Sequence, residues 1–324
     1  MLLILGVAFL ASLVGTRLVL AWLRHRQIMD HPNERSSHAL PTPRGGGLAV
    51  TAVLVGAWAW VGPPGIAMVL LPAMLLAAVS WADDLWTLAA RWRLLAQVLA
   101  VAAVLALWPA ERGYFFGGLL PGFLDTLAAG LLWIWFVNLY NFMDGIDGIT
   151  GVETLSIGTG AALVAVLAGL NVEVFLCATT LAAVAMGFLW WNWHPAKVFL
   201  GDVGSVPLGF LVGWLLLYLA SRGQPVAALV LPAYYLADAT ITLTRRAWRR
   251  EKVWEAHREH FYQKAIRLRG RSHASVSLSV LGGGLALALL AGWAAVGFSW
   301  EALVGGLAVT AALLLDLARR RGRA

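Results

Sequence analysis

The sequence predicts an all-α, polytopic integral membrane protein of about eleven transmembrane helices, with its N-terminus outside and its C-terminus cytoplasmic. Of the 324 residues, 60% are apolar and only 13% are charged, whereas soluble domains carry about 25% charged residues. The apolar residues form long runs, and the basic residues are concentrated between alternate runs. These two observations together exclude an ordinary soluble protein.

Eleven apolar segments are candidates for membrane-spanning helices. They are 1–23, 46–61, 65–82, 94–109, 123–140, 152–170, 172–190, 205–221, 225–243, 275–294 and 299–318. The first segment has no basic start and no small-residue cleavage site, so we interpret it as a retained span rather than a cleaved signal. We find no internal repeat and no soluble domain, which predicts a single transmembrane domain over residues 1–324.

The positions of Lys and Arg predict the orientation, because cytoplasmic loops of membrane proteins are enriched in both. All but three of the 24 Lys and Arg residues lie in the loops after odd-numbered segments, in the C-terminal tail or directly beside them. The five loops are 24–45, 83–93, 138–151, 191–205 and 244–274. If they are cytoplasmic, the net charge of +7 indicates contact with anionic lipid headgroups and not with nucleic acid.

The loop 138–151 contains the most unusual polar pattern, NLYNFMDGIDG, which begins at Asn138. Asn138, Asn141 and Asp144 recur every third residue, so they would share one face of a helix. Asp144 and Asp147 would then lie at or past the helix C-terminus, where carboxylates are disfavoured. This pair therefore favours a bound cation, and a helix end with solvated acids is the alternative.

Two adjacent acids, Asp83 and Asp84, end the third segment. Adjacent carboxylates point to different sides of a helix. One of them could therefore bind a metal while the other orients a partner. A polar helix end with Arg91 and Arg93 as counter-ions is the alternative.

The sequence FLGDVGS at 199–205 precedes the eighth segment. Its two glycines allow a ligand to approach the backbone closely, and we interpret Ser205 as the N-cap of the next helix. A helix N-terminus favours phosphate, and Asp202 beside it could hold Mg²⁺. A tight turn with a capping serine is the alternative.

The first and fifth loops supply basic residues. Arg35, His38 and Arg44 lie near the sequence PTPRGGG at 41–47 and could bind a phosphate. Basic residues that only follow the charge asymmetry are the alternative.

In HREHFYQ at 257–263, a predicted amphipathic helix that continues from the ninth segment would place His257 and His260 on one face. Two histidines without further ligands suit phosphate better than zinc, and a surface helix on anionic lipid is the alternative. We expect His25, His31 and His273 to be solvated.

Five acids, two histidines and several arginines are thus predicted to meet on one membrane face. Acids that hold Mg²⁺, with Arg and His for phosphate oxygens, are typical of phosphoryl transfer. A transporter or flippase would instead place charges in mid-span, and Asp238 is the only deeply placed acid of the later segments. A phospholipid alcohol transferase is a third reading, but the acids here are spread over three loops and not gathered on one helix pair.

These motifs resemble those of the polyprenyl-phosphate N-acetylhexosamine-1-phosphate transferases, glycosyltransferase family 4, which include phospho-MurNAc-pentapeptide translocase. The resemblance covers all five loops in order, and its most specific part is Asn-x-x-Asn-x-x-Asp-Gly-Ile-Asp-Gly from Asn138. HREHFYQ departs from the triple histidine of the peptidoglycan enzyme. It looks closer to the branch that initiates O-antigen synthesis with UDP-N-acetylfucosamine, UDP-N-acetylquinovosamine or related sugars.

The resemblance implies a catalytic domain in the bacterial inner membrane that is dependent on Mg²⁺, with Mn²⁺ as an alternative ion. It implies transfer of an N-acetylhexosamine-1-phosphate from a UDP-sugar to undecaprenyl phosphate, release of UMP, and a homodimeric assembly. Asp202 would be the first Mg²⁺ ligand, and Asp83 or Asp84 would lie near the lipid phosphate as a catalytic residue that removes its proton or shares the metal. The other implied site residues are Asp144 and Asp147 for nucleotide or metal, Asn138 and Asn141 in support, and Arg35, Arg44, Lys197, Ser205, His257, Arg258 and His260 for the diphosphate or sugar.

Overall fold

The computed structural model describes residues 1–32, 40–109, 113–252 and 257–319. The predicted phosphate-binding residues Arg35 and His38 lie outside these ranges. Within the described ranges the chain folds into thirteen helices and one two-stranded ribbon. The predicted all-α, polytopic fold class is therefore confirmed.

Twelve of the thirteen helices overlap the predicted apolar segments, and the short helix Phe261–Arg267 lies in the fifth loop. The thirteen helices are α1 (Leu2–His25), α2 (Gly47–Val61), α3 (Ala67–Trp86), α4 (Ala90–Ala106), α5 (Gly122–Phe142), α6 (Ile149–Leu167), α7 (Val172–Asn192), α8 (Asp202–Ser221), α9 (Pro225–Val230), α10 (Ala233–Trp248), α11 (Phe261–Arg267), α12 (His273–Ala295) and α13 (Ser299–Ala318). Strands β1 (Met29–Asp30) and β2 (Thr42–Pro43) pair antiparallel. Among the described helices, eight are long and apolar enough to cross a membrane, while the count of eleven spans and the orientation stay predictions.

Helix α8 lies at the centre of the bundle, in contact with α2, α3, α5, α6 and α9. It is buried along nearly its whole length. Small residues permit this close packing, as is common between membrane helices: a Cβ at Gly209 would lie only 2.8 Å from the Cβ of Tyr140 on α5. The N-terminus of α8, which carries Asp202, is therefore surrounded by the ends of its neighbours.

The ninth predicted segment is divided into two helices. α9 ends at Val230 and α10 begins at Ala233, with Pro232 between them, because proline cannot donate the hydrogen bond that a continuous helix needs. α10 packs against α5, α12 and α13. Its last turns carry exposed Thr244 and Arg245, so α10 combines a buried face with a polar one.

The continuous helix predicted through the fifth loop is wrong. α10 ends at Trp248, residues 257–260 are not helical, and α11 begins at Phe261. The cause is Asp238 of α10, whose carboxylate accepts hydrogen bonds from the main-chain N–H groups of Phe261 (3.0 Å) and Tyr262 (3.3 Å). These N–H groups belong to the first turn of a new helix, which needs outside acceptors.

Candidate active site

The N-terminus of α8 is set by Gly201. This residue has φ 75°, a left-handed conformation that glycine adopts without steric cost, and it is the N-cap of α8. The prediction of Ser205 as the N-cap is therefore wrong, because the helix begins at Asp202, three residues before Ser205 itself. Ser205 lies in the first turn and donates a hydrogen bond to Asn141 Oδ1 (2.6 Å).

Asp84 binds the N-terminus of α8 from the side. Its Oδ1 accepts a hydrogen bond from the N–H of Asp202 (3.1 Å), and its Oδ2 accepts one from the N–H of Val203 (2.9 Å). A carboxylate is stabilised at a helix N-terminus, where unpaired N–H groups point outward. The side chain of Asp84 is only 1% exposed, so it holds Asp202 in position from below the surface.

The first loop reaches the same point through its glycines. The N–H groups of Gly45 and Gly46 donate to the carbonyl of Phe199, and that of Gly47 donates to the carbonyl of Leu200. A Cβ at Gly47 would overlap the main chain of Gly204, so only glycine permits this approach. The result is that Arg44 comes to lie beside Asp202.

Arg44 bridges two carboxylates. Its Nη2 lies 2.9 Å from Asp84 Oδ1 and 2.6 Å from Asp202 Oδ1. Burial alone would lower the pKa of Arg44, but the charges of Asp84 and Asp202 raise it above its usual value. Arg44 therefore remains a cation at any pH at which the protein works.

Asp83 has different partners from Asp84, although both carboxylates lie close to Asp202. Its Oδ1 accepts a hydrogen bond from the N–H of Leu88 (2.6 Å), and its Oδ2 lies 2.8 Å from Arg93 Nη1. Arg93 Nη1 is also 3.5 Å from Asp202 Oδ2. Three carboxylates thus alternate with two guanidiniums, and we call these five residues the carboxylate–guanidinium cluster: Asp83, Asp84, Asp202, Arg44 and Arg93.

Of the two predicted asparagines, Asn141 contacts this cluster, and Asn138 does so through none of its hydrogen bonds to described residues. Asn141 Nδ2 donates to Asp202 Oδ2 (3.4 Å), while Asn138 Nδ2 donates to Gln97 Oε1 (2.6 Å) and to the carbonyl of Ile134 (2.8 Å). Gln97 was not among the site residues predicted from the sequence. The sequence nevertheless contains a sign of it, because a polar side chain inside the apolar segment 94–109 is unusual in a membrane helix.

A cavity of about 730 Å³ adjoins the cluster. Its polar end includes Asp202, Arg93, Gln97, Asn138 and Asn141. The remainder is largely apolar and is formed by α3, α4, α5, α8 and α10, through residues that include Leu76, Val79, Leu94, Leu131, Ile134, Trp135, Val206 and Leu243. The cavity therefore suits a ligand with an anionic head and a long apolar chain.

Asp144 belongs electrostatically to the same site. α5 ends at Phe142, so Asp144 lies past the helix end, as predicted. It is half-buried and has no ion pair among the described residues. Burial raises the pKa of Asp144 to about 7, and the nearby negative charge of Asp202 adds to the effect. Near neutral pH this carboxyl group is thus poised between its protonated and ionised forms.

Asp147 lies in a different environment from Asp144. Its Oδ2 is 2.6 Å from His194 Nδ1 and accepts a hydrogen bond from the N–H of Ala196 (3.2 Å); its Oδ1 is 3.3 Å from His273 Nδ1. Burial alone would raise the pKa of Asp147, but the hydrogen bonds from His273 and His194 hold it below its usual value. We call Asp147, His194 and His273 the Asp147 clasp.

The clasp corrects one prediction and adds two residues. His273 is buried, so its predicted solvation is wrong, because it opens α12 directly against Asp147. His25 and His31 are exposed, as predicted. Nothing in the local sequence pattern indicates that His194 and His273 meet Asp147, since they come from distant parts of the chain.

The histidines of the fifth loop lie side by side without a helix. The ring centroids of His257 and His260 are 4.8 Å apart. His260 is buried and its Nδ1 is 3.1 Å from Asp238 Oδ1. Burial, together with His260 and Arg246, lowers the pKa of His257 to about 4, so near neutral pH its ring offers a phosphate a hydrogen bond and no positive charge.

Two further predicted binding residues, Arg258 and Lys197, lie in the fifth and fourth loops. Arg258 is half-buried next to His257, and Lys197 is exposed with its Nζ 5.2 Å from the ring centroid of Trp191. Asp238, the deep acid that a transporter could use, is fully buried and is engaged by His260 and the start of α11. The binding roles of Arg258, Lys197, His257 and His260 stay predictions.

The oxygen donors around Asp202 suit Mg²⁺. This ion prefers carboxylate and amide oxygens and binds through one or two carboxylates plus substrate phosphates. Asp202 and Asn141 line the polar end of the cavity, and Asp83 is joined to Asp202 through Arg93. Three carboxylates so close together repel one another unless cations lie between them. The two guanidiniums reduce this repulsion, and a metal ion would reduce it as well.

The fold and the site together define a multi-pass membrane protein whose acidic site adjoins an apolar cavity. Residues 66–220, which contain all five predicted acids, match the model of glycosyl transferase family 4. A relative from Bacillus subtilis (strain 168), named "Probable undecaprenyl-phosphate N-acetylglucosaminyl 1-phosphate transferase", is 27% identical in an alignment of 285 residues, and the match covers 82% of this chain and 78% of the relative. The chain is similar to glycosyl transferase family 4 over residues 66–220, which agrees with the resemblance seen in its motifs.

Proposed function

We propose that the protein transfers an N-acetylhexosamine-1-phosphate from a UDP-sugar to undecaprenyl phosphate at the cytoplasmic face of the bacterial inner membrane. UMP is released, and the lipid-diphosphate-sugar begins an O-antigen or another envelope glycan. The observation that carries this proposal is the carboxylate–guanidinium cluster at the polar end of a largely apolar cavity. The name of the Bacillus subtilis relative supports the same acceptor and the same kind of transferred group.

The acceptor needs little activation. A phosphate monoester has a second pKa of about 6 if it behaves like a phosphorylated side chain, so it is largely ionised near neutral pH. One of its oxygens bonds to the phosphorus that carries the sugar. The bond from that phosphorus to the bridging oxygen breaks, and its electron pair leaves with UMP.

The main task of the protein is to hold two anions in line and to screen their repulsion. Asp202 would hold Mg²⁺ with Asp83, and a bound Mg²⁺ supplies positive charge to the phosphate oxygens. Asp84 would act indirectly, because it is bound to the N-terminus of α8 and holds Asp202.

Arg44 and Arg93 would bind phosphate oxygens. Their side chains are 37% and 38% exposed, whereas that of Asp202 is 12% exposed. Each guanidinium presents several N–H donors, so it can keep its carboxylate partner while the other donors face a phosphate. Near neutral pH, Asp144 could accept a proton from an acceptor that arrives in its monoanionic form.

The test is a panel of UDP-N-acetylhexosamines, each incubated with the purified protein, undecaprenyl phosphate and Mg²⁺, and scored by UMP release. We expect UMP and lipid-linked sugar in equal amounts with at least one sugar, and none when undecaprenyl phosphate is omitted. No UMP from any sugar would overturn the proposal.

A further inference from the structure

The contacts around the Asp147 clasp hold the main chain of Asp147 as well as its side chain. His273 Nδ1 lies 3.3 Å from both the main-chain N and the Oδ1 of Asp147, and the carbonyl of Asp147 accepts a hydrogen bond from Ser277 Oγ (2.8 Å). The next N–H, that of Gly148, donates to Asn192 Oδ1 (3.0 Å). Helices α12 and α7 thus bind consecutive peptide groups at the end of the loop that joins α5 to α6.

The contact distances favour hydrogen bonds over a metal ion in the clasp. Asp147, His194 and His273 are a set of residues whose ligand atoms lie within 4.8 Å of one another, so a metal site is the obvious alternative. Zinc bonds of 2.0–2.2 Å at tetrahedral angles would separate neighbouring ligand atoms by about 3.3 Å. The 2.6 Å between His194 Nδ1 and Asp147 Oδ2 is instead the length of a charge-assisted hydrogen bond.

The loop 143–148 is held at its other end too. Tyr262 of α11 donates from its hydroxyl to the carbonyl of Phe142 (3.0 Å), and a Cβ at Gly145 would collide with the same phenol group. Asp144 lies between these two attachments. Its charged neighbours are Asp202, Arg44 and Asp84, so the attachments determine how Asp144 meets the cluster.

We propose that His194 and His273 are positioning residues of the transferase. Acting through Asp147, they fix the loop 143–148 so that Asp144 is held against the carboxylate–guanidinium cluster. Neither histidine is proposed to touch a substrate. α12 lies outside the residues that match the family model and does not line the cavity, so the clasp is the connection through which α12 influences the reaction.

The test uses the fact that both histidines act through Nδ1. An asparagine amide reaches the position of Nδ1, whereas a glutamine amide reaches that of Nε2. We therefore compare His273→Asn with His273→Gln, and His194→Asn with His194→Gln. The side chain of His194 is 40% exposed, so we expect its substitution to disturb folding less than that of buried His273. If both His273 variants fail to fold, the comparison of His194→Asn with His194→Gln still tests the proposal.

We expect kcat of the Asn variants to remain within about threefold of wild type. The Gln variants should lose about tenfold or more, the effect of losing a hydrogen bond to a charged group. The KM of the UDP-sugar should change little in all four, because residues that do not touch substrate leave ground-state binding intact. Equal losses in the Asn and Gln variants, or wild-type kcat in all of them, would overturn the proposal.

Two measurements do not depend on activity. Hydrogen–deuterium exchange of peptides that cover residues 143–148 should be faster in His273→Gln and unchanged in His273→Asn. Elemental analysis of the wild-type protein should find no stoichiometric zinc, nickel or copper, and one such ion per chain would overturn the hydrogen-bonded clasp. The proposal rests on the proposed function only for its kinetic readout, so exchange data still test the clasp if no UDP-sugar reacts.

Discussion

The carboxylate–guanidinium cluster and the Asp147 clasp are both built around aspartates, yet their aspartates have different partners. In the cluster, Asp202 faces two arginines whose side chains are more than one-third exposed beside a cavity. In the clasp, Asp147 is bound by two imidazoles and a main-chain N–H. The first arrangement leaves donors and acceptors for a ligand, while the second uses the carboxylate to join segments of the chain.

The same difference separates Asp144 from Asp147, only three residues apart. Burial raises the pKa of Asp144 to about 7, while hydrogen bonds from the clasp hold the pKa of Asp147 below its usual value. The pKa values of two acids in one motif are therefore shifted in opposite directions. A role in the reaction suits Asp144, and a role in anchoring the loop suits Asp147.

The largest effect is expected from Asp202→Asn. It removes the charge that faces both arginines and the first candidate ligand for Mg²⁺, so UMP release should fall by at least about 100-fold. Glu301→Gln is the control, because Glu301 is an exposed acid in the first turn of α13 and its loss should leave the rate unchanged. A rate within threefold of wild type for Asp202→Asn would contradict the assignment.

A smaller loss, about 30-fold, is expected from Arg44→Lys. Lysine keeps the charge but is a compact ammonium that cannot bridge Asp84 and Asp202 while also presenting N–H groups to a phosphate. Steady-state kinetics should show the loss in kcat/KM. Arg222→Lys, at the other end of α8, should behave like wild type, and if both variants lose equally the cluster has no special role.

The pH profile should separate the two acids of the motif. If the ionised form of Asp144 is required, activity falls as pH drops through about 7, by about tenfold between pH 8 and pH 6. Asp144→Asn should leave a low rate that no longer decreases as the pH drops through about 7. Asp147→Asn should lower the rate but retain this pH-dependent decrease. A limb near pH 7 that persists in Asp144→Asn would assign it to another group.

The smallest effect concerns the apolar part of the cavity. Leu131→Trp would occupy space in which the lipid chain is expected to lie, so the KM of undecaprenyl phosphate should rise about fourfold, the equivalent of about one buried CH₂ group. The KM of the UDP-sugar should not change. An equal rise for both substrates would mean that the cavity does not hold the lipid.

The sequence was informative where chemistry follows local pattern. The end of α5 before Asp144 and the different hydrogen-bond partners of the adjacent residues Asp83 and Asp84 are both compatible with helix geometry. The clasp and the burial of His260 could not be predicted this way, because they depend on contacts between residues far apart in the chain. The start of α8 at Asp202 depended on the positive φ of Gly201, which the FLGDVGS pattern permits without requiring.

The cavity has a consequence for how the enzyme should be assayed. Leu94 and Leu131 line it and are also 48% and 60% exposed, on helices that are predicted to lie in the bilayer. A prenyl chain that enters beside them diffuses in two dimensions, within the leaflet. Turnover should then follow the mole fraction of undecaprenyl phosphate among the lipids, so diluting the acceptor with detergent or phospholipid should slow the reaction even when its amount per litre is constant.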